Sequence, residues 1–403
     1  MAERDPIIIA GAGPAGLSAA LALSDRGIPV CVFEAEPGLT VDLRAGTYHP
    51  PTLQMLAPYG VTERMLVEGI KVRKWQIRDR QVGAVLAEWD LGRLKDETPY
   101  PYRLHLEQHK LTPILLDEAR KRSAFSIRFD AKLVAVRDAG DHVAAEIETA
   151  GGREPVRGSY VLGCEGYRSV VRDAMGAAFN GFTWPEMFLI TSTTHDFEPE
   201  GYTYATYIAD PDEWVMLFKM PGMNPPALWR IAMPADPDRP REETLDRDVV
   251  QRRLQQFSPQ SRSYEIVHCN AYRVHQRVAE KFRRGRLLIA GDAAHVNNPL
   301  GGMGLNGAVH DAMNAADKLA AVWRGEADQS LLDRYERQRL PVQHEYVQQI
   351  STRNKKLVEE RDPAVRKERQ DELRRQATDP KQAFAYMMDS SMISSIRRAN
   401  AIL

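Results

Sequence analysis

The chain has 403 residues, 43% hydrophobic and 27% charged, with a formal net charge of -1, an ordinary globular composition with room for two or three domains. That balance excludes the basic footprint of a nucleic-acid binder and any acidic tail, and leaves a small neutral or anionic molecule as the partner class. Cys31, Cys164 and Cys269 form no C-x-x-C, which excludes a disulfide framework or zinc site and fits buried thiols in a reducing cytoplasm.

Pro6 to Ala10 reads as a fully buried parallel strand that runs into Gly11-Ala12-Gly13-Pro14-Ala15-Gly16, the G-x-G-x-x-G turn in its proper setting. Leu17 to Arg26 continues as helix, Gly27 ends it, and Ile28 to Phe33 forms a second strand finishing at Glu34. That carboxylate falls where an acceptor for a ribose 2′-hydroxyl belongs, so the unit predicts an adenosine dinucleotide and argues against a 2′-phosphate on it. Ile7 to Leu23 is apolar enough to imitate a membrane segment, but its glycines follow the nucleotide pattern and acidic residues precede it, so no membrane association is expected.

Arg44 and Ala45 lie in the next loop, where an arginine either bridges a pyrophosphate or is simply solvated. A helical pattern follows from Pro50-Pro51 through Leu53, Leu56 and Tyr59, and Lys71 to Leu94 alternates as a hairpin for another layer. Leu104 to Arg122 reads as helix, with Gln108 near its start as a cofactor contact or a cap. Ser126–Phe129, Lys132–Arg137 and His142–Thr149 read as three strands, and Tyr160–Cys164 as another that closes on Cys164-Glu165-Gly166-Tyr167-Arg168-Ser169-Val170-Val171-Arg172.

From Asn180 to Val267, alternating segments (Thr203–Ile208, Trp214–Met220, Leu228–Met233) predict an antiparallel sheet, then a helix from about Glu242 to Phe257. Tyr207 faces opposite to Tyr202 and Tyr204, while Lys219 and Arg230 share a face with Leu217 and Leu228 and meet either solvent or an anion pocket. Arg286 to Ala320 is a short strand, Gly291-Asp292, a loop with Gly301, Gly302 and Gly304, and a helix opening near Leu305. Here backbone N–H groups and a helix N-terminus can approach something flat or anionic. Beyond Leu331 the chain is helical, Pro341 breaks or kinks it, and residues 351–377 form a solvated helix or a lid. No metal motif such as H-E-x-x-H occurs.

Three motifs thus stand in order: G-A-G-P-A-G with Glu34, C-E-G-Y-R-S-V-V-R, and G-D-A-A-H…P-L-G-G-M-G-L-N with Asp311-Ala312. Together they resemble the single-component, FAD-dependent aromatic hydroxylases of the para-hydroxybenzoate hydroxylase type over roughly residues 6–345. Trp184-Pro185-Glu186, Ala209-Asp210-Pro211, Tyr272 to Arg277 and Phe282 to Arg286 are most similar to the para-nitrophenol monooxygenase group. The middle motif departs from the family, with Glu165 in place of the usual Asp.

The resemblance implies an α/β fold: a Rossmann-like FAD-binding domain (1–73, 99–180 and 268–330), an inserted mixed or antiparallel-sheet substrate domain (74–98 and 181–267), and a C-terminal helical region (331–403). It implies FAD held by Gly11, Gly13, Pro14, Ala15, Gly16, Glu34, Arg44, Ala45, Gln108, Val134, Asp292, Gly304, Leu305 and Asn306. Pro299 would present its carbonyl to the ring being hydroxylated. NADH or NADPH would reduce the flavin, and O2 would then give a flavin hydroperoxide that hydroxylates a small aromatic substrate. A base or cation near the substrate oxygen is expected, with His49, His195, Tyr207, Lys219 and Arg230 as candidates. A cytoplasmic homodimer is also expected. The competing readings are a flavin dehydrogenase or reductase on the same scaffold, and a non-catalytic FAD-binding protein.

Overall fold

A computed structural model of the protein describes residues 4–41, 45–222 and 227–403. Its first core is built on a six-stranded sheet in which Ile7–Ala10 is central, flanked in parallel by Tyr160–Gly163 and Val30–Phe33. Leu287–Ile289 and Phe125–Arg128 extend it in parallel on either side. Every side chain of Ile7–Ala10 is buried, which is why this strand reads as an unbroken apolar run. The helices Pro14–Asp25 and Gly304–Arg324 pack together over this sheet.

The second core is an eight-stranded sheet, ordered His295–Val296, Ile266–Ala279, Phe179–Thr193, Leu228–Ala235, Val215–Met220, Ala205–Ala209, Lys74–Asp79 and Val85–Asp90. All its pairings are antiparallel except that of Ala205–Ala209 with Lys74–Asp79. One face carries Trp75, Trp89, Phe188, Tyr207 and Met216 beneath the C-terminal helices. The other carries Leu189, Leu217, Trp229 and Ile231, covered by Val250 and Leu254 of the Arg247–Phe257 helix. Ile266–Ala279 pairs along most of Phe179–Thr193, so residues 268–279, expected with the cofactor domain, hydrogen-bond into the substrate sheet.

Several expected elements change form. Phe125–Arg128 joins the parallel sheet, and the small antiparallel sheet takes Gly152–Gly158 as its third strand. Glycines and charges concealed that strand because neither face is wholly buried. The expected helix from Leu104 starts at Gln108, since Arg103–His105 is spent as a strand between Thr47–Tyr48 and Ile70–Val72. The helix expected from Glu242 is two, Arg241–Thr244 and Arg247–Phe257, because Asp246 accepts the N–H groups of Asp248 and Val249 and starts a new one.

Pro341 does not end its helix: Leu331–Val342 passes through a π-helical stretch at Gln343–Gln348 into Gln349–Val358. The proline is carried inside the helix, and the π-helical stretch begins two residues after it. The charged stretch after residue 351 lies over the substrate sheet. Helix Pro363–Thr378 sits on the edge strand Val85–Asp90, with Leu373 buried and Gln370 donating to Asp79 at 2.5 Å, which covers an edge otherwise open to pairing. Beneath it Lys355 is fully buried, paired with Glu186 and Glu359 and within 4.9–5.9 Å of the Trp184, Phe188 and Trp214 rings.

Candidate active site

The two glycine-rich turns meet at the C-terminal ends of the parallel strands. A Cβ on Gly16 would stand 1.9 Å from Gly11 O, so the third glycine lets helix and strand touch. A Cβ on Gly11, whose φ is +95°, would stand 2.6 Å from Cys164 O. Gly13 differs: nothing lies within 4 Å of its added Cβ, and no side chain caps the Pro14–Asp25 helix that it begins. A cradle with open space and an uncapped helix N-terminus fits a dinucleotide pyrophosphate. At its rim, half-buried Glu34 accepts Ala12 N–H at 2.6 Å and Glu36 N–H at 3.1 Å. Ala131 N–H bonds Glu34 O at 2.9 Å, which brings half-buried Val134 to the same end. Arg44 lies outside the described residues. Ala45 is exposed, and its carbonyl accepts Gln108 N–H at 3.0 Å, so helix Gln108–Arg120 starts against this loop.

Asp292 is exposed on the turn after Leu287–Ile289. The turn is held from behind by fully buried Asp311, which accepts from Arg339 Nε at 2.6 Å, His295 Nε2 at 2.7 Å, Gln343 Nε2 at 3.2 Å and Gly291 N–H at 3.3 Å. Burial alone would raise the Asp311 carboxyl, but Arg339 and His295 outweigh it and hold it at about 2. Among the described residues Glu165 has no arginine in an ion pair, although the Arg172 charge acts on it. It accepts Val171 N–H at 2.9 Å, while Arg172 donates to the Ala293 and Tyr167 carbonyls at 3.0 Å. Burial raises the Glu165 carboxyl.

The loop after His295–Val296 carries the chain from the Gly291-Asp292 turn to the Tyr207 face of the eight-stranded sheet. Asn306 is saturated: its Oδ1 accepts His49 N–H at 2.8 Å and the Thr52 hydroxyl at 2.6 Å, and its Nδ2 donates to Thr47 O and Gly302 O. Only its backbone is therefore left for a ligand, alongside buried Leu305. A Cβ on Gly304 would stand 3.0 Å from Asn297 Oδ1. His49 is buried, and its Nε2 bonds Gly301 O at 2.9 Å. Since a carbonyl only accepts, that nitrogen carries the proton. Burial, then Arg103, keeps the ring neutral. Tyr207 OH accepts Gly301 N–H at 3.1 Å, and burial raises its hydroxyl, so its own proton remains to be donated. Pro299, half-buried, accepts Gly302 N–H at 3.0 Å, which uses one of its carbonyl's two lone pairs. Arg230 is buried on this face, its Nη1 3.6 Å from a Cβ placed on Gly46.

Lys219 and His195 do not join this cluster. Lys219 pairs across strands with Trp229 and Arg230 with Phe218, so the two cations point to opposite faces. Lys219 bonds Glu198 at 3.0 Å and lies over the Tyr204 ring at 4.6 Å, and His195 bonds Glu200 at 2.7 Å beside Phe197 and Tyr264. Both belong to the face covered by the Arg247–Phe257 helix.

Other residues enter that the motifs did not mark. Gln276 Oε1 accepts from Trp184 Nε1, Asn298 N and Asn298 Nδ2, while its Nε2 donates to Gln348 and Ser351. It thereby ties the Pro299 loop to the sheet and to a C-terminal helix. Arg103 and His105 come from the strand that sequence periodicity merged into a helix. Their alternation with Leu104 was the available signal. Among the described residues no His, Cys, Asp and Glu gather to hold a metal, and no helix is long and apolar enough to cross a membrane.

Residues 4–350 match the FAD binding domain family. The chain is 34% identical over 367 residues to para-nitrophenol 4-monooxygenase of Pseudomonas sp. strain WBC-3, covering 91% of this chain and 90% of that protein. It is 31% identical over 357 residues to 6-hydroxy-3-succinoylpyridine 3-monooxygenase of Pseudomonas putida, covering 88% of each. The crystal structure of p-nitrophenol 4-monooxygenase from Pseudomonas putida DLL-E4 superposes with a TM-score of 0.91 at 32% identity, covering 98% of this chain and 99% of that one.

Proposed function

Since the chain belongs to the FAD-binding aromatic hydroxylases and is an FAD-dependent aromatic monooxygenase of phenolic compounds, we propose that its substrate is a one-ring phenol, with para-substituted phenols such as 4-nitrophenol the first to test. The observation that carries this reading is the junction at Gly301. There the flavin-side loop is gripped by His49 and Tyr207 on an aromatic sheet face, so that cofactor and ring are held by one rigid piece.

FAD, when bound, supplies the electron storage and oxygen activation that side chains lack. The pyrophosphate belongs at Gly11, Gly13, Pro14, Ala15 and Gly16, and the adenosine ribose at Glu34 with Val134 beside the adenine. Arg44, Ala45 and Gln108 make further contacts, Asp292 takes the ribitol, and Gly304, Leu305 and Asn306 lie along the ring through their backbone. The open face of Gly13 and the exposure of Asp292 support this placement. Tyr207 donates to the phenol oxygen, Pro299 borders the ring, His49 fixes the loop rather than taking a proton, and Arg230 adds positive charge on the same face. The aromatic face excludes water from the reacting pair.

The division into a cofactor part (1–73, 99–180, 268–330), a substrate part (74–98, 181–267) and a helical part (331–403) belongs to the same reading. It is supported by the two separate cores, with the long strands Phe179–Thr193 and Ile266–Ala279 crossing its boundaries. NADH or NADPH is the reductant. Three free thiols fit a reducing cytoplasm, and a homodimer is to be tested by sedimentation.

The test is a panel of phenols, scored for stimulated NAD(P)H oxidation with matching O2 uptake and a product heavier by one oxygen. Oxidation that proceeds anaerobically, with a reduced organic product, would overturn the proposal in favour of a dehydrogenase.

A further inference from the structure

Arg103 is a buried charge that the assignments above leave unused. It opens the Arg103–His105 strand and is 2% exposed, yet among the described residues its one hydrogen bond is a long one, from Nη2 to Ser390 O at 3.4 Å. Its Nε has no partner. The groups that act on it electrostatically are the hydroxyls of Tyr207 and Tyr386, and no carboxylate among the described residues pairs with it. The guanidinium stays charged even where burial disfavours it.

The surroundings are aromatic. Arg103 lies 4.8 Å from the Trp75 ring, and Trp75 stacks on Trp89 at 4.2 Å and on Tyr386 at 5.6 Å. Tyr207 stands edge-on to Trp75 at 6.0 Å, and its hydroxyl reaches the Gly301 N–H of the Pro299 loop. Other acceptors and donors here also lack partners: Nδ1 of His49, Nε2 of His105 and Nε1 of Trp75. Tyr386 closes the cluster from the C-terminal helices, where its ring lies 5.3 Å from Arg353.

A cation buried without a counterion is costly, and an apolar side chain of that length would pack this core more cheaply. Cation–π attraction to Trp75 offsets only part of that cost. The remainder is met when an anion arrives. Planar aromatic walls, a fork of donors and a tyrosine that still holds its proton match a flat ring bearing one oxyanion.

We propose that Arg103 is the anion anchor of the substrate pocket, taking the ionised oxygen of the phenol between its guanidinium and Tyr207 OH. This rests on the phenol reading above. The side chains facing that anion are Tyr207 from the Ala205–Ala209 strand, Tyr386 from the Pro380–Ser390 helix, His49 before the Pro50–Leu56 helix and His105 on the same strand as Arg103. Both histidines are held neutral by burial, His105 at about 4, so the phenolate meets the charge of Arg103, with Arg230 acting on the same His105 and Arg353 on the same Tyr386. The enzyme binds its substrate as phenolate, the form an electrophilic oxygen attacks fastest, and releases the phenol proton to solvent on binding.

The test is calorimetric titration of the FAD-loaded enzyme, without NAD(P)H, in two buffers of different ionisation enthalpy. The ligands are 4-nitrophenol, below its solution pKa, and 4-nitroanisole, its neutral methyl ether. Wild type is expected to release a proton with 4-nitrophenol only. Arg103→Met should weaken 4-nitrophenol by about 10- to 100-fold, abolish proton release, leave 4-nitroanisole unchanged and keep or raise the melting temperature. Arg103→Lys should retain part of the selectivity and serves if the Met variant does not fold. Equal loss for both ligands with a lowered melting temperature would make Arg103 a structural anchor for the Ser390 segment and overturn the proposal. So would a variant in which a 4-substituted benzoate loses affinity while 4-nitrophenol does not. A wild-type enzyme that binds no phenol overturns the substrate reading first, and this assignment with it.

Discussion

Replacing Asp311 by Asn tests whether the Gly291-Asp292 turn is held by charge. The carboxylate is fully buried and receives Arg339, His295, Gln343 and Gly291 N–H, and Arg339 itself is 1% exposed. Lowering its carboxyl from 3.8 to about 2 corresponds to roughly 2–3 kcal/mol in favour of the ionised folded form. Since the folded value is depressed, that stability is fully present above the ordinary value near 3.8 and is lost as pH falls through 2. The Asn variant also leaves Arg339 buried without its anion, so the expected cost at pH 7 is about 3–5 kcal/mol. Urea unfolding followed by circular dichroism at pH 7, 5, 4 and 3 measures it. The gap between wild type and variant should be wide at pH 7 and 5 and shrink towards pH 3. The double variant with Arg339→Met should recover about 1–3 kcal/mol, the coupling expected of groups in contact. A variant within 1 kcal/mol of wild type at pH 7, or a gap that does not shrink in acid, refutes the reasoning.

Gly13→Ala should keep the apoprotein within about 1 kcal/mol, because its φ of -72° suits alanine and its Cβ meets no protein atom, yet lower FAD affinity by tenfold or more in a fluorescence titration. Gly16→Ala, whose Cβ would stand 1.9 Å from Gly11 O, should lose soluble protein and flavin together. Glu34→Ala should release FAD more readily on dilution, and unchanged retention would remove it from the ribose site. Lys355→Met leaves Glu186 and Glu359 without their shared cation and should cost about 3–5 kcal/mol in urea unfolding while KM for the phenol stays within a few-fold. Lys219→Met and His195→Gln, on the far face of the sheet, should leave KM and coupling of NAD(P)H to product near wild type. A large rise in KM for either would return it to the pocket.

The sequence by itself determined the cofactor half. Gly11, Gly13, Gly16 and Glu34 act through backbone geometry and a local βα turn, and the spacing of such a turn is written in consecutive residues. The Gly291-Asp292 turn and its helix are legible for the same reason. The substrate half is different, because its residues meet only when strands from distant parts of the chain pair. Whether Lys219 or Arg230 shares the face of Tyr207 is fixed by how Val215–Met220 and Leu228–Ala235 pair and by which face the C-terminal helices cover, and alternation alone is symmetric between the two. Arg103 shares an environment with Tyr207 and Tyr386, more than a hundred positions or nearly three hundred away in the chain. The alternation of Arg103, Leu104 and His105 marks a strand at most, and an arginine there reads equally well as a solvated side chain. Only tertiary packing, by closing aromatic rings over that guanidinium, decided that a charge is held inside an aromatic core.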